Sequence, residues 1–343
     1  MSTYTFQEEL AMPNIRWTAE KANEWYESLP WLVGCNFIPS TAINQLEMWQ
    51  PDTFDPETIS RELKWAADIG FNIIRVYLHN LLWQSDKAEF EERIKRFLDI
   101  ADRNHIRTMF VLFDDCWNTD PQLGTQPDPI PGIHNSGWVQ SPGQNLVMDS
   151  SSWPALEDYV RGMISTFTLD ERIVIWDLYN EPGNNGQHEK SLPLLQNAMT
   201  WAREANPSQP LTVGLWYDNR VLNDFQLSTS DVITFHNYNP EDDLLKQIEL
   251  LKVYGRPVIC TEYMARTRGS LFEKCLPVFR AENVGCINWG LVSGKTQTIY
   301  PWGSPGDSAE PGLWFHDLFH SDGRPYRLEE VDFIREMIGR KRE

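Results

Sequence analysis

The chain has 343 residues, of which 41% are hydrophobic and 12% aromatic, so it is long enough to bury a sizeable core in one or two domains. Its 49 acidic and 30 basic residues give a formal net charge of -19 and a pI near 4.8, which would repel nucleic acid and anionic membranes unless a local basic patch intervened. The densest basic run, Arg340–Arg342, is more typical of a helix C-terminus, so neither nucleic acid nor a membrane is an expected partner.

The N-terminal stretch MSTYTFQEELAMPNIRW contains two glutamates and lacks the basic and apolar regions of a signal peptide. No apolar run is long enough to cross a bilayer. We therefore expect a cytoplasmic protein, or a secreted or periplasmic one if a leader has been removed. The five cysteines are odd in number, widely spaced and free of any CxxC pattern, which favours buried thiols over disulfides or a zinc site. No metal or other cofactor is expected.

Eight apolar runs rich in β-branched and aromatic residues follow one another along the chain. They begin at Trp31, Phe71, Ile106, Ile173, Leu211, Val232, Arg256 and Val284. Because each run is nearly continuous in its hydrophobicity, the pattern is typical of parallel strands that are buried on both faces.

Amphipathic helical patterns separate these runs. After the first run, Asp55 is a suitable N-cap, Pro56 occupies the first helical position and Gly70 can end the helix. Apolar residues at helical spacing also predict helices within 87–105, after 240 and within 328–339. Only about fifteen residues separate the fifth and sixth runs, too few for a full helix with loops, so that unit is expected to be abbreviated.

Eight strand-helix units predict an α/β fold, a (β/α)8 TIM barrel. We expect a single domain over residues 1–343, with a leading segment at 1–30 and the barrel from about 31 to 343. A doubly wound open sheet is the alternative, but no GxGxxG turn follows the first run. Long connections rich in Gly, Pro and Trp follow the third and eighth strands, at 116–150 and 293–312, and loops of this length are usually functional.

Polar residues stand at the ends of the apolar runs, where the active site of such a barrel lies. In chain order they include Arg75, Asp114, Asp115, Asn180, Glu181, His236, Tyr238 and Glu262. Two carboxylates on opposite sides of a barrel mouth suit the cleavage of a glycosidic bond, for which one must be protonated and the other ionised. Arg75 and Tyr238 would keep one carboxylate ionised, and an apolar setting would keep the other protonated.

Tryptophans are frequent in the strand ends and in the loops that follow them. Their flat apolar faces suit the CH faces of sugar rings. The tryptophans in these positions are Trp117, Trp138, Trp216, Trp289 and Trp302.

Five strand-end segments resemble those of a known family and occur in its order. GFNIIRV resembles a second-strand arginine segment, WDLYNEP a fourth-strand Asn-Glu-Pro, HNY a sixth-strand His-x-Tyr, CTEY a seventh-strand glutamate and INWG an eighth-strand tryptophan. The chain thus resembles a clan A glycoside hydrolase, nearest to family 5, the cellulase and mannanase group. The resemblance covers nearly the whole barrel.

The resemblance implies a retaining β-glycosidase that acts on β-linked glycans or oligosaccharides, such as cellulose, mannan or xylan, by double displacement. It implies that Glu181 is the general acid/base and Glu262 the nucleophile. Asn180 would bind the sugar 2-hydroxyl, and Arg75 and Tyr238 would orient the nucleophile.

The same resemblance implies that His236 supports the acid/base region and that Trp289 forms the floor of the sugar site. The third strand departs from the family pattern. FDDCW stands where many members have a histidine, so Asp114, Asp115 or Trp117 must fill that space, and the sugar preference stays open. Asp114 and Asp115 are expected to point to opposite faces, because strand side chains alternate.

Each motif also has an ordinary structural interpretation. Asn180-Glu181-Pro182 alone is equally typical of a turn that begins a helix, and Glu262 alone would pair with Arg266 or Arg268. His236 alone would more often be a hydrogen-bonded core residue.

Two other functions are alternatives. A catalytically silent carbohydrate-binding barrel would need one carboxylate to be missing, and both are present. A metal-dependent barrel hydrolase would use His236, Glu262 and the Asp114/Asp115 pair, but the first run offers no HxH pair. The oligomeric state is not predicted.

Overall fold

A computed structural model describes residues 16–339, so the basic run at the C-terminus and most of the N-terminal stretch lie outside the described residues. Its strands follow the eight predicted runs. They are β1 (Val33–Asn36), β2 (Ile73–Tyr77), β3 (Arg107–Asp114), β4 (Ile173–Asn180), β5 (Leu211–Thr212), β6 (Ile233–His236), β7 (Val258–Glu262) and β8 (Gly285–Asn288).

The eight strands form one parallel sheet in the order β5-β4-β3-β2-β1-β8-β7-β6, with β1 paired to both β2 and β8. The remaining gap, between β5 and β6, is bridged just beyond the end of β5. There Leu215 donates its N–H to the Thr234 carbonyl (2.9 Å) and accepts from the His236 N–H (2.8 Å). The predicted (β/α)8 TIM barrel is therefore confirmed, and the doubly wound open sheet is wrong.

Eleven α-helices are present among the described residues. They are α1 (Ala19–Glu27), α2 (Gln45–Trp49), α3 (Pro56–Asp68), α4 (Asn80–Arg103), α5 (Gln144–Met148), α6 (Trp153–Thr166), α7 (Leu192–Glu204), α8 (Arg220–Thr229), α9 (Glu241–Lys252), α10 (Phe272–Ala281) and α11 (Leu328–Ile338). The predicted start of α3 is confirmed, since Asp55 Oδ1 accepts from the Thr58 N–H at 3.0 Å. Gly70 follows that helix with φ of 98°.

The fifth unit is short in its strand and not in its helix. β5 has two residues, whereas α8 has ten and begins with Asn219 as its N-cap. The expectation that this unit lacks room for a full helix is wrong, because the nearly three turns of α8 fit entirely between the two runs, with only short loops on either side.

The barrel interior is apolar at one end and polar at the other. At the N-terminal ends of the strands, Ile73, Met109 and Ile259 form a buried cluster with Tyr26 of α1, so α1 covers this end. At the C-terminal ends the interior carries buried charged groups such as Arg75. Among the described residues, a cavity therefore opens at the C-terminal end of the strands, as in other barrels of this class.

Two long segments without further helices or strands lie above the open end. The first runs from the end of β3 at Asp114 to α5 at Gln144, and the second from the end of β8 at Asn288 to α11 at Leu328. All five cysteines are buried and free, as expected. None of the described helices is both long and apolar enough to span a membrane. The single-domain organisation stays a prediction.

Candidate active site

Two glutamates meet at the open end of the barrel. Glu262 is the last residue of β7, and Glu181 directly follows β4. A carboxylate oxygen of each and a ring nitrogen of His236 lie within 4.8 Å of one another. Glu181 has φ of 45°, in the left-handed region that costs a non-glycine residue about 1–2 kcal/mol. Such strained positions cluster at functional sites, where the surrounding structure holds them.

Glu262 is surrounded by groups that stabilise a negative charge. Its Oε1 accepts from Arg75 Nη1 at 2.9 Å and from the Tyr77 hydroxyl at 3.1 Å, and its Oε2 accepts from the Tyr238 hydroxyl at 2.8 Å. Charge-assisted hydrogen bonds of this kind favour the ionised carboxylate.

Arg75 connects Glu262 to a deeper layer of polar residues. Its guanidinium is fully buried and donates to Asp177 Oδ2 from both Nε (3.0 Å) and Nη2 (2.7 Å). It also donates to Asn180 Oδ1 at 2.7 Å, to Asn36 Oδ1 at 2.9 Å and to the Tyr77 hydroxyl at 2.6 Å. A single side chain, Arg75, therefore holds two carboxylates and two amides in position through its hydrogen bonds.

Replacement of Arg75 by methionine tests this arrangement. The variant leaves Asp177 and Glu262 buried without their counter-ion, so we expect the free energy of unfolding to fall by about 3–5 kcal/mol, measured by denaturant titration. The control is Arg220→Met, which removes an exposed pair with Asp224 and is expected to cost less than about 1 kcal/mol. Equal stability of the two variants would contradict the described role of Arg75.

Glu181 has a different environment, without a cation in direct contact. His236 Nδ1 lies 2.8 Å from Oε1, while Asn184 Nδ2 (2.6 Å) and Cys116 Sγ (3.2 Å) donate to Oε2. Burial lowers the pKa of His236 to about 4 and raises the pKa of the Cys116 thiol well above its usual value, so both are neutral near pH 7. Glu181 therefore lies among neutral polar groups, and not in the apolar environment that the sequence predicted.

Burial raises the pKa of both glutamates. For Glu181 the hydrogen bonds from Cys116 and Asn184 oppose this shift only in part. For Glu262 the charge of Glu181 adds to the effect of burial, while His236 and Arg75 oppose it. Two carboxyls at this distance share one proton, and the direct contact with Arg75 favours the negative charge on Glu262 and the proton on Glu181.

Asp114 and Asp115 turn to opposite sides of β3, as expected. Asp114 accepts from Asn180 Nδ2 at 2.9 Å and from the Trp138 indole at 2.8 Å, beneath the two glutamates. Asp115 accepts from the Tyr179 hydroxyl at 2.7 Å and from the Gly183 N–H at 2.8 Å, where it holds the turn after β4.

A cavity of about 870 Å³ opens over the glutamates. This volume is typical of a small-molecule site. Of the residues predicted from the sequence, those that line the cavity are Trp117, Trp138, Asn180, Glu181, Trp216, His236, Tyr238, Glu262, Trp289 and Trp302. Arg75 and Asp114 lie below the lining and act on it through their hydrogen bonds.

The tryptophans occupy different depths of the cavity. Trp138 is only 2% exposed, and its ring contacts Tyr77 (5.1 Å between centroids) and Trp289 (5.8 Å) in edge-to-face geometry. Trp117 and Trp302 are 39% and 38% exposed and stand at the rim. Trp289 thus offers a ring that is fixed from behind.

Several residues of the site were missed by the sequence analysis. Asp177 interrupts an apolar run four residues before Glu181, and a buried carboxylate of this kind needs a partner, so it was a usable signal. Tyr77 lies two residues after Arg75, on the same face of β2. Asn184 and Cys116 follow the strand ends in loops, where spacing does not predict contacts.

The competing interpretation of Glu262 as the partner of Arg266 or Arg268 is wrong, since Arg266 Nη2 binds Glu330 Oε2 at 2.7 Å and Arg268 Nη2 donates to Asn239 Oδ1 at 3.3 Å. The metal-dependent alternative predicted a site made of His236, Glu262 and the Asp114/Asp115 pair, and the structure does not bring these residues together as one cluster. Within residues 16–339, the cluster that could hold a metal ion consists of Glu181, His236 and Glu262, without Asp114 or Asp115. Three of the four carboxylate oxygens of this cluster already accept hydrogen bonds from the protein, and the fourth, Glu181 Oε1, lies 2.8 Å from His236 Nδ1.

Comparison with known proteins gives one family and a set of similar structures. The sequence profile of cellulase (glycosyl hydrolase family 5) matches residues 34–294, more than half of the chain. No curated protein sequence matched.

Among solved structures, a GH5_18 variant from Streptomyces cattleya in complex with Manβ1-4GlcNAc has a TM-score of 0.60 at 14% identity, covering 91% of this chain and 80% of that one. An exo-β-1,4-mannosidase from Opitutaceae bacterium strain TAV5 has a TM-score of 0.61 at 18% identity, with coverage of 90% and 59%. A hyperthermostable endo-1,4-β-D-mannanase from Thermotoga petrophila RKU-1 has a TM-score of 0.57 at 14% identity, with coverage of 90% and 99%. At these identities the likeness concerns the fold.

Proposed function

Because the chain belongs to glycosyl hydrolase family 5, and is thus a glycoside hydrolase, we propose that it cleaves β-glycosidic bonds with retention of anomeric configuration. The observation that carries this proposal is that a carboxylate oxygen of Glu181 lies within 4.8 Å of one of Glu262. Retaining enzymes hold their two carboxyl groups about 5–5.5 Å apart, whereas inverting enzymes need about 6.5–9.5 Å to admit a water molecule between them.

In the first step, Glu262 attacks the anomeric carbon of the sugar, and the bond from this carbon to the glycosidic oxygen breaks. Glu181 gives its proton to that oxygen, so the leaving group departs as a neutral alcohol. The Arg75 contact favours the ionised form of Glu262 for attack, and burial raises the pKa of Glu181 and so favours its protonated form in the free enzyme. The product of this step is a covalent glycosyl ester of Glu262.

In the second step, water replaces the leaving group. Glu181, now ionised, removes a proton from the water, whose oxygen attacks the anomeric carbon and releases Glu262. Three neutral partners, His236, Asn184 and Cys116, hold Glu181 in place for both steps. Two inversions at one carbon give net retention.

Neighbouring side chains hold the sugar during these steps. Asn180 uses its Oδ1 to accept from Arg75 and its Nδ2 to donate to Asp114, while its other Nδ2 proton faces only the weak acceptor Cys116 Sγ at 3.4 Å. That proton is available to the sugar 2-hydroxyl. Trp289 provides a flat ring for the apolar face of the sugar.

A panel of aryl β-glycosides and β-linked glucan, mannan, xylan and galactan oligosaccharides tests the proposal. Mannosides come first, because several structural neighbours carry mannosidase or mannanase names or hold Manβ1-4GlcNAc. We expect hydrolysis of at least one member, and activity that survives prolonged chelation. Glycan binding without hydrolysis would favour a silent binding barrel, and loss of activity on chelation that a divalent metal restores would favour the metal-dependent alternative.

The pH dependence of kcat/KM provides a further prediction. Its alkaline limb should report the loss of the proton from Glu181, and burial places this limb above the usual pKa of a glutamic acid. Cys116 and Asn184 donate to the carboxylate and stabilise its ionised form, so their removal raises the pKa further. Cys116→Ala and Asn184→Ala should each move the alkaline limb to higher pH, and a shift of both to lower pH would contradict the assignment of Glu181.

A further inference from the structure

The cavity is open on one side of the barrel and closed on the other. Among the described residues, its lining begins at Cys116, so β1, β2 and the loops that follow these strands contribute nothing to it. Most of the lining comes from the ends of β4 to β8 and the segments after them, including Asn184, Trp216, Asn239 and Gln247. The cavity therefore extends from the glutamates over β5 and β6.

Three loops close the opposite side. They are the loop after β1 (residues 37–44), the segment after β3 (115–143) and the segment after β8 (289–327), and we call them together the loop wall. The last two are joined by hydrogen bonds from the Asn135 N–H to the Thr296 carbonyl (2.8 Å) and from the Asp307 N–H to the Pro131 carbonyl (2.7 Å). The side chain of Gln297 adds bonds to the Gly132 N–H (3.0 Å) and to the Ile130 carbonyl (2.7 Å).

The loop after β1 is packed just as closely against the other two. Lys295 donates its backbone N–H to the Ser40 carbonyl at 3.0 Å, and its ammonium group pairs with Glu47 of α2. A Cβ at Gly294 would lie 2.4 Å from the Ser40 carbonyl oxygen, and a Cβ at Gly137 would lie 2.3 Å from the Ile43 side chain. The loops thus touch closely at both points, and Gly294 has no room for a side chain against the Ser40 backbone.

The space behind the wall is too small for a sugar. A separate cavity of about 20 Å³ lies on the far side of Trp138 and Trp289, against Phe37 and Tyr77. This volume suits about one water molecule. Trp138 and Trp289 line both this space and the cavity above the glutamates.

The direction of the substrate follows from the proposed function, on which this inference rests. The sugar that Glu262 attacks lies over Trp289, on the side of the loop wall. Glu181 protonates the oxygen that links this sugar to the leaving group, so the leaving group extends past Glu181, over β5 and β6. The amides and aromatic rings on that side suit a hydroxyl-rich leaving group.

We propose that the enzyme removes single sugars from the non-reducing end of β-linked oligosaccharides, because the loop wall ends the cavity directly beyond the sugar that Glu262 attacks. A sugar with a further residue attached at its non-reducing side would collide with the wall. The specificity is therefore set by the loop wall, and the chain is an exo-acting glycosidase.

Product lengths from an oligosaccharide labelled at its reducing end test this inference. With the sugar that the panel identifies, the first turnovers should release monosaccharide and leave a labelled product shortened by one residue. An aryl glycoside of that single sugar should be cleaved with a kcat/KM orders of magnitude above that of the corresponding aryl disaccharide at the aryl bond. Release of disaccharides first, or internal cleavage, would overturn the inference while leaving the proposed function intact.

Loosening of the wall provides a second measurement. Gln297→Ala combined with Lys295→Ala removes contacts that join the three loops, so relative activity on the aryl disaccharide should rise several-fold. Gln196→Ala, at an exposed position of α7 outside the loop wall, is the matched control and should leave the ratio unchanged. Failure of every aryl glycoside and oligosaccharide to react would instead contradict the proposed function itself.

Discussion

Glu262→Gly is expected to lower kcat for an activated aryl β-glycoside by roughly four to six orders of magnitude, an effect of the size seen when an enzymatic nucleophile is lost. The reason is that Glu262 forms the covalent bond to the sugar, and within residues 16–339 the carboxylate that clusters with it is that of Glu181. Azide should partly restore activity, because the small anion fits the space left by the side chain. Its single displacement should give a glycosyl azide of inverted configuration.

The control for this variant separates chemistry from folding. Glu249→Gln changes an exposed glutamate of α9 and should keep the activity of the parent protein. Glu262→Gly must retain the far-ultraviolet circular dichroism spectrum of the parent. Substantial activity of the folded glycine variant without azide would rule out Glu262 as the nucleophile.

Glu181→Gln is expected to affect the two chemical steps differently. A glycoside with a poor leaving group needs the proton from Glu181, so its kcat/KM should fall by about two to four orders of magnitude. A dinitrophenyl glycoside leaves without protonation, and its kcat/KM should stay near that of the parent. Its kcat should nevertheless fall, because the second step lacks the base that activates water.

The accumulation of the intermediate distinguishes this result from a structural defect. With the dinitrophenyl substrate, Glu181→Gln should show a burst of one dinitrophenol per enzyme, followed by slow turnover. Azide should accelerate this turnover and give a product of retained configuration, opposite to that from Glu262→Gly. Equal losses of kcat/KM for good and poor leaving groups would contradict the acid/base role.

The fold was predictable because its signals are local. The run from Ile173 to Asn180 is apolar throughout, and the structure buries all of it as β4. The cap at Asp55 and the stop at Gly70 depend only on neighbouring residues, and both were predicted for α3. The fifth unit was misjudged because the loops on either side of α8 are short, and the number of residues between two runs does not indicate how they divide between loop and helix.

The candidate site was predictable where it repeats a strand-end pattern. Glu181, Glu262, His236 and Tyr238 were selected because a polar residue ends an apolar run, and the structure brings them together. The environment of Glu181 was not predictable, because Cys116 reaches it from 65 residues away in the chain. Contacts between loops depend on the path of each backbone, which composition and periodicity do not indicate.

The loop wall illustrates the same limit. The segments after β3 and β8 were recognised as long and rich in glycine and proline, but their pairing was not foreseen. Asn135 and Thr296 form one hydrogen bond across it although they are far apart in sequence. The sequence does not distinguish Gly137 and Gly294 from other loop glycines, because their close contacts with Ile43 and the Ser40 carbonyl form only in the folded chain.

The configuration of the first product tests the central claim most directly. Proton nuclear magnetic resonance of the reaction, recorded before the released sugar mutarotates, identifies the anomer that the enzyme forms. A carboxylate oxygen of Glu181 lies within 4.8 Å of one of Glu262, and carboxyl groups this close predict that a β-glycoside yields the β-anomer first. Initial appearance of the α-anomer would contradict the account, because it would require a single displacement by water and a wider separation of Glu181 and Glu262.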